Sequence, residues 1–163
     1  METLSEKLSE MATAAEAFCG LISEHETPRD GWLEELYALL PRLHSAVTAL
    51  KSHNVNDLPV TEIDLDERFN LYSRLRKQLG ERDSYWLEFD ASPEQVNMSG
   101  SLADDLTDIY FDLLHGLQLL DEAWPQRAAE VWQMTYRMHW GQHLVDAERH
   151  LYALKVRNQL RAS

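Results

Sequence analysis

The stretch LADDLTDIYFDLLHGLQLLDE, residues 102–122, decides the fold. At 100° per residue Leu102, Leu106, Ile109, Leu113, Leu117 and Leu120 fall on one side of an α-helix, the apolar stripe that a helix buries against a core. Tyr110, Phe111 and Leu114 widen that stripe. Ser101, three residues ahead of Asp104, reads as a capping box with Asp in place of the usual Glu, so the helix begins at Leu102 and runs to about Glu122. Gly116 lies inside it, where glycine costs about 1 kcal/mol relative to alanine, and close approach of a neighbour is the expected compensation.

Trp124-Pro125 then makes a short connection, with Pro125 suited to the first position of a new helix that continues to near the C-terminus. So tight a link makes the two helices an antiparallel hairpin. Between Val131 and Ala147 the second helix is apolar most of the way round, with Met134, Met138, Trp140, Leu144 and Val145 filling the directions its histidines leave. A central position is expected for it. Gly141, also mid-helix, calls for close approach of another helix or of the aromatic loop described next.

Upstream, three further helices are expected. The first runs from about Leu4 to His25, with Leu8, Met11, Ala15, Phe18 and Ile22 on one face, and Thr27-Pro28 breaks it. The second, from Gly31 to about Lys51, takes Asp30 as N-cap, and Pro41 inside it should kink or split it. Ser52 to Pro59 reads as a loop. The third begins at Asp64 with Phe69, Tyr72 and Leu75 or Leu79 inward, and Gly80 is its natural stop. From Glu81 to Gly100 there is no helical period. Tyr85, Leu87 and Phe89 alternate with Trp86, Glu88 and Asp90 but have no evident strand partner, so an extended, aromatic-anchored loop is expected. Loops of that length in compact domains are usually functional or well packed. The expected fold is all-α: one domain, residues 1–163, a bundle of about five helices with a long aromatic loop before the C-terminal hairpin.

Composition agrees. The chain has 163 residues, enough for one domain with a real core, and only six glycines and five prolines, which favours helices over turn-linked strands. Apolar content of 44% against 26% charged residues argues against disorder. The net charge of −13 is uneven: −9 over residues 1–66, +3 over 67–80, −10 over 81–122 and +3 over 123–163. The acidic middle and the basic end should attract each other, within the fold or across a partner copy. Basic residues cluster only in Arg74-Leu75-Arg76-Lys77 and between Lys155 and Arg161, too little for a phosphate-binding surface, so nucleic acid is not an expected partner. The single cysteine, Cys19, precludes an internal disulfide and sits on an apolar helix face as packing. Met1 to Met11 carries acids and no apolar run, and no stretch reaches the roughly 20 apolar residues that cross a bilayer. A soluble, cytoplasmic protein without membrane association is expected.

Two polar stripes carry whatever chemistry the chain has. Asp104, Asp108, Asp112 and His115, spaced four, four and three, lie roughly opposite the leucine seam, with Asp105 beside them. Taken alone this line reads as a solvated face that also complements the helix dipole. The sharper reading is a carboxylate row with Asp112-x-x-His115 spacing, which would need another helix to complete a divalent-cation site. On the last helix His139, His143, Asp146 and His150 are spaced four, three and four, and Trp132 and Tyr136 extend the line. His-x-x-x-His places two imidazoles on one face, as in zinc and iron sites, though no adjacent Glu suggests a zincin. The structural alternative is imidazoles bonded to aspartates or carbonyls. Counted from the connection, Asp112 is level with Arg137 and Asp108 with Gly141, so His139 and His143 stand at the height of the aspartate row. Were helix rotation to bring the stripes together, Asp–His pairs would raise the histidine pKa values.

Tyr85 and Phe89-Asp90, then LADDLTDIYFDLL at 102–114, Gly116-Leu117, Ala129, Trp132 and His139-Trp-Gly-Gln-His143 resemble a bacterial family of uncharacterised helical proteins, domain-of-unknown-function family 5063. The resemblance covers roughly Leu33 to Leu154. Phe111 departs from it, at a position associated with a basic residue in the family. The resemblance implies the fold and the place of the site, and no activity. The candidate polar site is Asp104, Asp105, Asp108, Tyr110, Asp112, His139, Trp140, His143 and Asp146, with Asp108, Asp112, His139 and His143 as ligands of any divalent metal.

Two functions compete. The first is a non-catalytic structural or protein-interaction module, with a protein partner or a second copy and no cofactor. The second is a metal-binding protein or metal-dependent hydrolase. Asp105-Leu-Thr-Asp108-Ile-Tyr is loosely similar to the acidic helix of all-helical nucleotide pyrophosphatases, which also need Glu-Glu-x-x-Glu upstream; here Glu34-Glu35 is followed by Ala38.

Overall fold

The computed structural model describes residues 5–24, 30–50, 63–87 and 98–161. The expected loop Ser52–Pro59, the Thr27-Pro28 break, and Phe89 and Asp90 lie outside them.

Helix α1 spans Glu6–Ser23, opened by the Ser5 side chain accepting from the Leu8 N–H, and buries Leu8, Met11, Ala15, Phe18 and Ile22 along one face. Helix α2, Trp32–Thr48, is capped not by Asp30 but by Gly31, whose φ of 88° is open to glycine at little steric cost. Pro41 does not split it. The ring faces outward on an exposed side, so the helix tolerates one missing N–H while Leu36, Leu39, Leu40 and Leu43 hold its inner face. Helix α3, Leu65–Leu79, starts at Asp64, which accepts from the Asp66 and Glu67 N–H groups. It buries Leu75 and Leu79, as expected, but Phe69 points outward and is 65% exposed. The neighbouring Arg68 takes the inward direction instead, toward Asp104 and Asp108.

After a 3₁₀ turn at Gly80–Arg82, strand β1, Ser84–Leu87, pairs antiparallel with β2, Met98–Ser101. The expected strandless loop is thus partly a hairpin. Its second strand, Met-Ser-Gly-Ser, has no alternating apolar pattern from which pairing could be read. Gly100 stands opposite Tyr85, and a Cβ there would come within 2.3 Å of the tyrosine ring, so only glycine lets the ring lie across the strand.

β2 runs directly into α4, Leu102–Asp121, capped by Ser101 Oγ accepting from the Asp104 N–H. The Asp83 carboxylate, 3% exposed, adds two bonds at the same helix start, accepting from Ser101 Oγ (2.9 Å) and the Ala103 N–H (2.7 Å). Ala123, at φ 64°, turns the chain, and Pro125 opens α5 (Pro125–Thr135). α5 continues through a π-helical turn, Tyr136–Trp140, into α6, Gly141–Val156. The expected last helix is therefore one rod with a widened turn.

Helix α4 packs on α1, α3, α5 and α6, and α2 closes the bundle against α1 and α6. Leu102, Leu106, Ile109 and Leu113 of α4 are fully buried beside Trp132 and Trp140 of the rod. Gly116 has the expected close neighbour: the Trp132 indole lies over it and donates to the Leu113 carbonyl at 3.1 Å. Gly141 differs from expectation. What approaches it is neither another helix nor the loop but its own π turn, whose Tyr136 carbonyl oxygen would lie 2.3 Å from an added Cβ. Among the described residues no helix is long and apolar enough to cross a membrane.

Candidate functional site

The aspartate row of α4 and the histidine row of the rod face each other, and α3 and β1 cover them from the other sides. This geometry overturns the solvated-face reading of the row: Asp105 is 3% and Asp108 8% exposed. Burial of a carboxylate demands partners, and here they come from α3, β1 and α6. Asp105 accepts from His143 Nδ1 at 2.7 Å through one oxygen and from the Tyr85 hydroxyl through the other. Asp108 accepts from Arg68 through Oδ1, at 3.0 Å from Nε and 2.7 Å from an Nη, and meets His143 Nε2 through Oδ2 at 2.9 Å. Arg68 also reaches Asp104 at 2.9 Å. One turn along, Asp112 pairs with His139 Nδ1 at 2.6 Å, while His139 Nε2 stands 3.6 Å from Asp108 Oδ2. The two imidazoles are edge to face, with ring centroids 5.1 Å apart.

The electrostatics follow from this wiring. Burial alone would press the His143 imidazolium down, but hydrogen bonds and charge from Asp105 and Asp108 outweigh it and lift the pKa to about 10. Asp105 moves up to about 6 because its burial outweighs the bonds from His143 and Tyr85. Asp108, also opposed by burial, is held below the ordinary carboxylate range by His143 and Arg68. Asp112 is raised by burial, against the pull of His139. At neutral pH His143 is therefore a cation clasped between two carboxylates.

Six of the expected site residues come together: Asp104, Asp105, Asp108, Asp112, His139 and His143. Three do not join them by hydrogen bonds. Trp140 is wholly buried and donates to the Trp132 carbonyl and to Thr135, a core role. Tyr110 turns the other way, edge to face with Phe111, and its carbonyl faces the Cys19 thiol. Asp146 accepts from Gln142 on the rod's outer side and only contributes negative charge near Asp105 and Tyr85. His150 leaves the row as well. It donates to the Arg82 carbonyl at 2.6 Å and stacks on Tyr85, with ring centroids 4.8 Å apart, and burial lowers its pKa. Cys19 is buried and its thiol is pushed up to about 12, the state of a packed rather than reactive cysteine.

Sequence reasoning missed Arg68 and Asp83. Arg68 lies on a helix whose rotation the pattern assigned to Phe69, and four unbalanced aspartates facing inward were the available sign that an arginine had to meet them. Asp83 belonged to a stretch without period. A half-buried histidine contact was also missed: His44 of α2 bonds to Glu148 at 2.7 Å and to the Tyr136 hydroxyl at 3.1 Å, tying α2 to the rod.

Two groups of donors stand close enough to share one ion, each with ligand atoms within 4.8 Å of one another: Asp108 with His139 and His143, and Asp104 with Asp105 and His143. Asp112, expected among the ligands, is instead on the far nitrogen of His139.

A family model described as Domain of unknown function (DUF5063) matches residues 2–157, a longer span than the Leu33–Leu154 resemblance. The crystal structure of protein BF1032 from Bacteroides fragilis, a structural-genomics target, shares the fold at a TM-score of 0.73 and 21% identity, over 93% of each chain. No curated protein matches the chain significantly.

Proposed function

The chain belongs to the DUF5063 family, and we propose that it is a non-catalytic helical module in which the Asp/His network works as a structural lock and the outer face of the last helix meets a second copy. The observation that carries the lock is the saturation of the two buried aspartates. Both oxygens of Asp105 and both of Asp108 are engaged by side chains from α3, β1 and α6. A carboxylate bonded on both oxygens fixes the elements that supply its donors, because removing one donor leaves a buried charge to be paired. Helix α3, which buries only Leu75 and Leu79, depends on this anchoring more than on its apolar surface.

Hydrogen exchange in chelator-treated protein tests the lock. Arg68→Met should raise exchange throughout α3 while α1 and α2 keep their protection. Unchanged exchange in α3 would refute it.

The partner reading rests on Val145, Arg149, Tyr152 and Val156, all exposed and spaced four, three and four along α6. That is the a/d spacing of a two-helix seam, a surface complementary to another copy of itself. Sedimentation equilibrium should give a dimer for the parent and a monomer for Val145→Glu; a monomeric parent contradicts the reading.

A further inference from the structure

Asp108 Oδ2 and the Nε2 atoms of His139 and His143 converge on one point, and we propose that this point binds a single divalent transition-metal ion. The inference builds on the lock, using the same side chains. Asp108 Oδ2 lies 2.9 Å from His143 Nε2 and 3.6 Å from His139 Nε2. Around a metal with bonds of about 2.1 Å, neighbouring donors are about 3.0–3.4 Å apart; the two Asp108 distances bracket that range, and all three ligand atoms lie within 4.8 Å of one another.

Directionality sets this triad apart from a mere cluster of acids. The other ring nitrogen of each histidine is held by its own carboxylate, His143 Nδ1 by Asp105 and His139 Nδ1 by Asp112. That is how metal-binding imidazoles are oriented: the Nδ1–H is committed to an outer carboxylate and the Nε2 lone pair is aimed at the ion. Arg68 occupies Asp108 Oδ1, so Oδ2 is the oxygen that meets an ion, which on binding displaces to solvent the proton that His143 Nε2 shares with Oδ2 in the metal-free protein. The backbone contributes as well. His139 lies in the π turn, a distortion that re-aims side chains and recurs at functional sites, and Gly141 makes that turn sterically accessible.

Charge agrees. Asp104, Asp105, Asp108 and Asp112 face one guanidinium, so with neutral imidazoles the site holds three excess negative charges, of which a dication cancels two. Two imidazoles with one carboxylate select zinc, cobalt, iron or nickel over magnesium or calcium. His139 is 43% exposed, so the remaining coordination positions face solvent and a small ligand.

The test uses untagged full-length protein, stripped with chelator and titrated with Co²⁺, Zn²⁺ and Mg²⁺. One Co²⁺ per chain should bind with visible absorption bands, Zn²⁺ should displace it, and Mg²⁺ should not compete. His139→Ala should weaken Co²⁺ binding at least tenfold. Asp112→Asn, which keeps all three donors, should weaken it by about tenfold through loss of imidazole orientation. Circular dichroism checks that each variant is folded. No saturable Co²⁺ or Zn²⁺ binding at micromolar protein, or a folded His139→Ala that binds like the parent, overturns the proposal. Absent binding together with raised α3 exchange in Arg68→Met removes the metal alone, whereas binding together with unchanged α3 exchange in Arg68→Met removes the lock alone.

Discussion

Replacing His143 by alanine in chelator-treated protein removes one bond to Asp105 at 2.7 Å and one to Asp108 at 2.9 Å. Hydrogen bonds to charged groups contribute about 1.5–3 kcal/mol each, and breaking a buried pair costs about 3–5 kcal/mol. Both figures need discounting. Asp105 keeps Tyr85, Asp108 keeps Arg68, and the His143 side chain is 21% exposed, so water can enter the gap. The expected loss at pH 7 is about 3 kcal/mol, which for a chain of this length lowers Tm by about 6–12 °C. Urea unfolding followed by circular dichroism reads it as a shift in midpoint at constant slope. Combining the change with Asp105→Asn should give a coupling energy of about 1–2 kcal/mol. The pH dependence has a definite sign. The folded-state pKa of His143 is raised to about 10 from 6.5, so its stabilisation is complete below pH 6.5 and is lost as pH rises through 10. The difference between parent and variant should shrink accordingly. A penalty under about 0.5 kcal/mol, or strict additivity with Asp105→Asn, would refute the wiring.

Gly116→Ala should cost about 2 kcal/mol despite alanine's better helix propensity, because its Cβ would lie within 2.0 Å of the fully buried Trp132 indole; urea midpoints decide this, and a stabilised variant contradicts the packing. Gly141→Ala should likewise destabilise, by about 1–3 kcal/mol, as its Cβ meets the Tyr136 carbonyl, and a variant more stable than the parent would show that the π turn is not fixed there. Ser101→Ala should lose about 1 kcal/mol or somewhat more in thermal unfolding, since Ser101 Oγ both caps α4 and donates to the buried Asp83; an unchanged Tm excludes that role.

The helices were legible because their apolar faces recur at helical spacing, from Leu8–Ile22 in α1 to Leu102–Leu113 in α4. The short Trp124-Pro125 link gave the antiparallel hairpin, and counting along it placed His139 and His143 at the height of the aspartates. What could not be read was rotation and cover. Nothing in the spacing of α3 says that Arg68 rather than Phe69 turns inward, because that choice is made by the carboxylates of another helix. The β1–β2 pairing was hidden for a similar reason: β2 is small and polar, and its partner is recognised by Tyr85 lying across Gly100. The π turn left no mark except Gly141, whose meaning depends on a carbonyl five residues back.

The lock is tested most directly by the ¹⁵N chemical shifts of His143 in metal-free protein, followed from pH 5 to 11. Clasped between Asp105 and Asp108, both ring nitrogens should remain protonated at pH 8 and titrate near 10. A midpoint near the ordinary 6.5 would mean that His143 is not held by the two aspartates, and the account would fail with it.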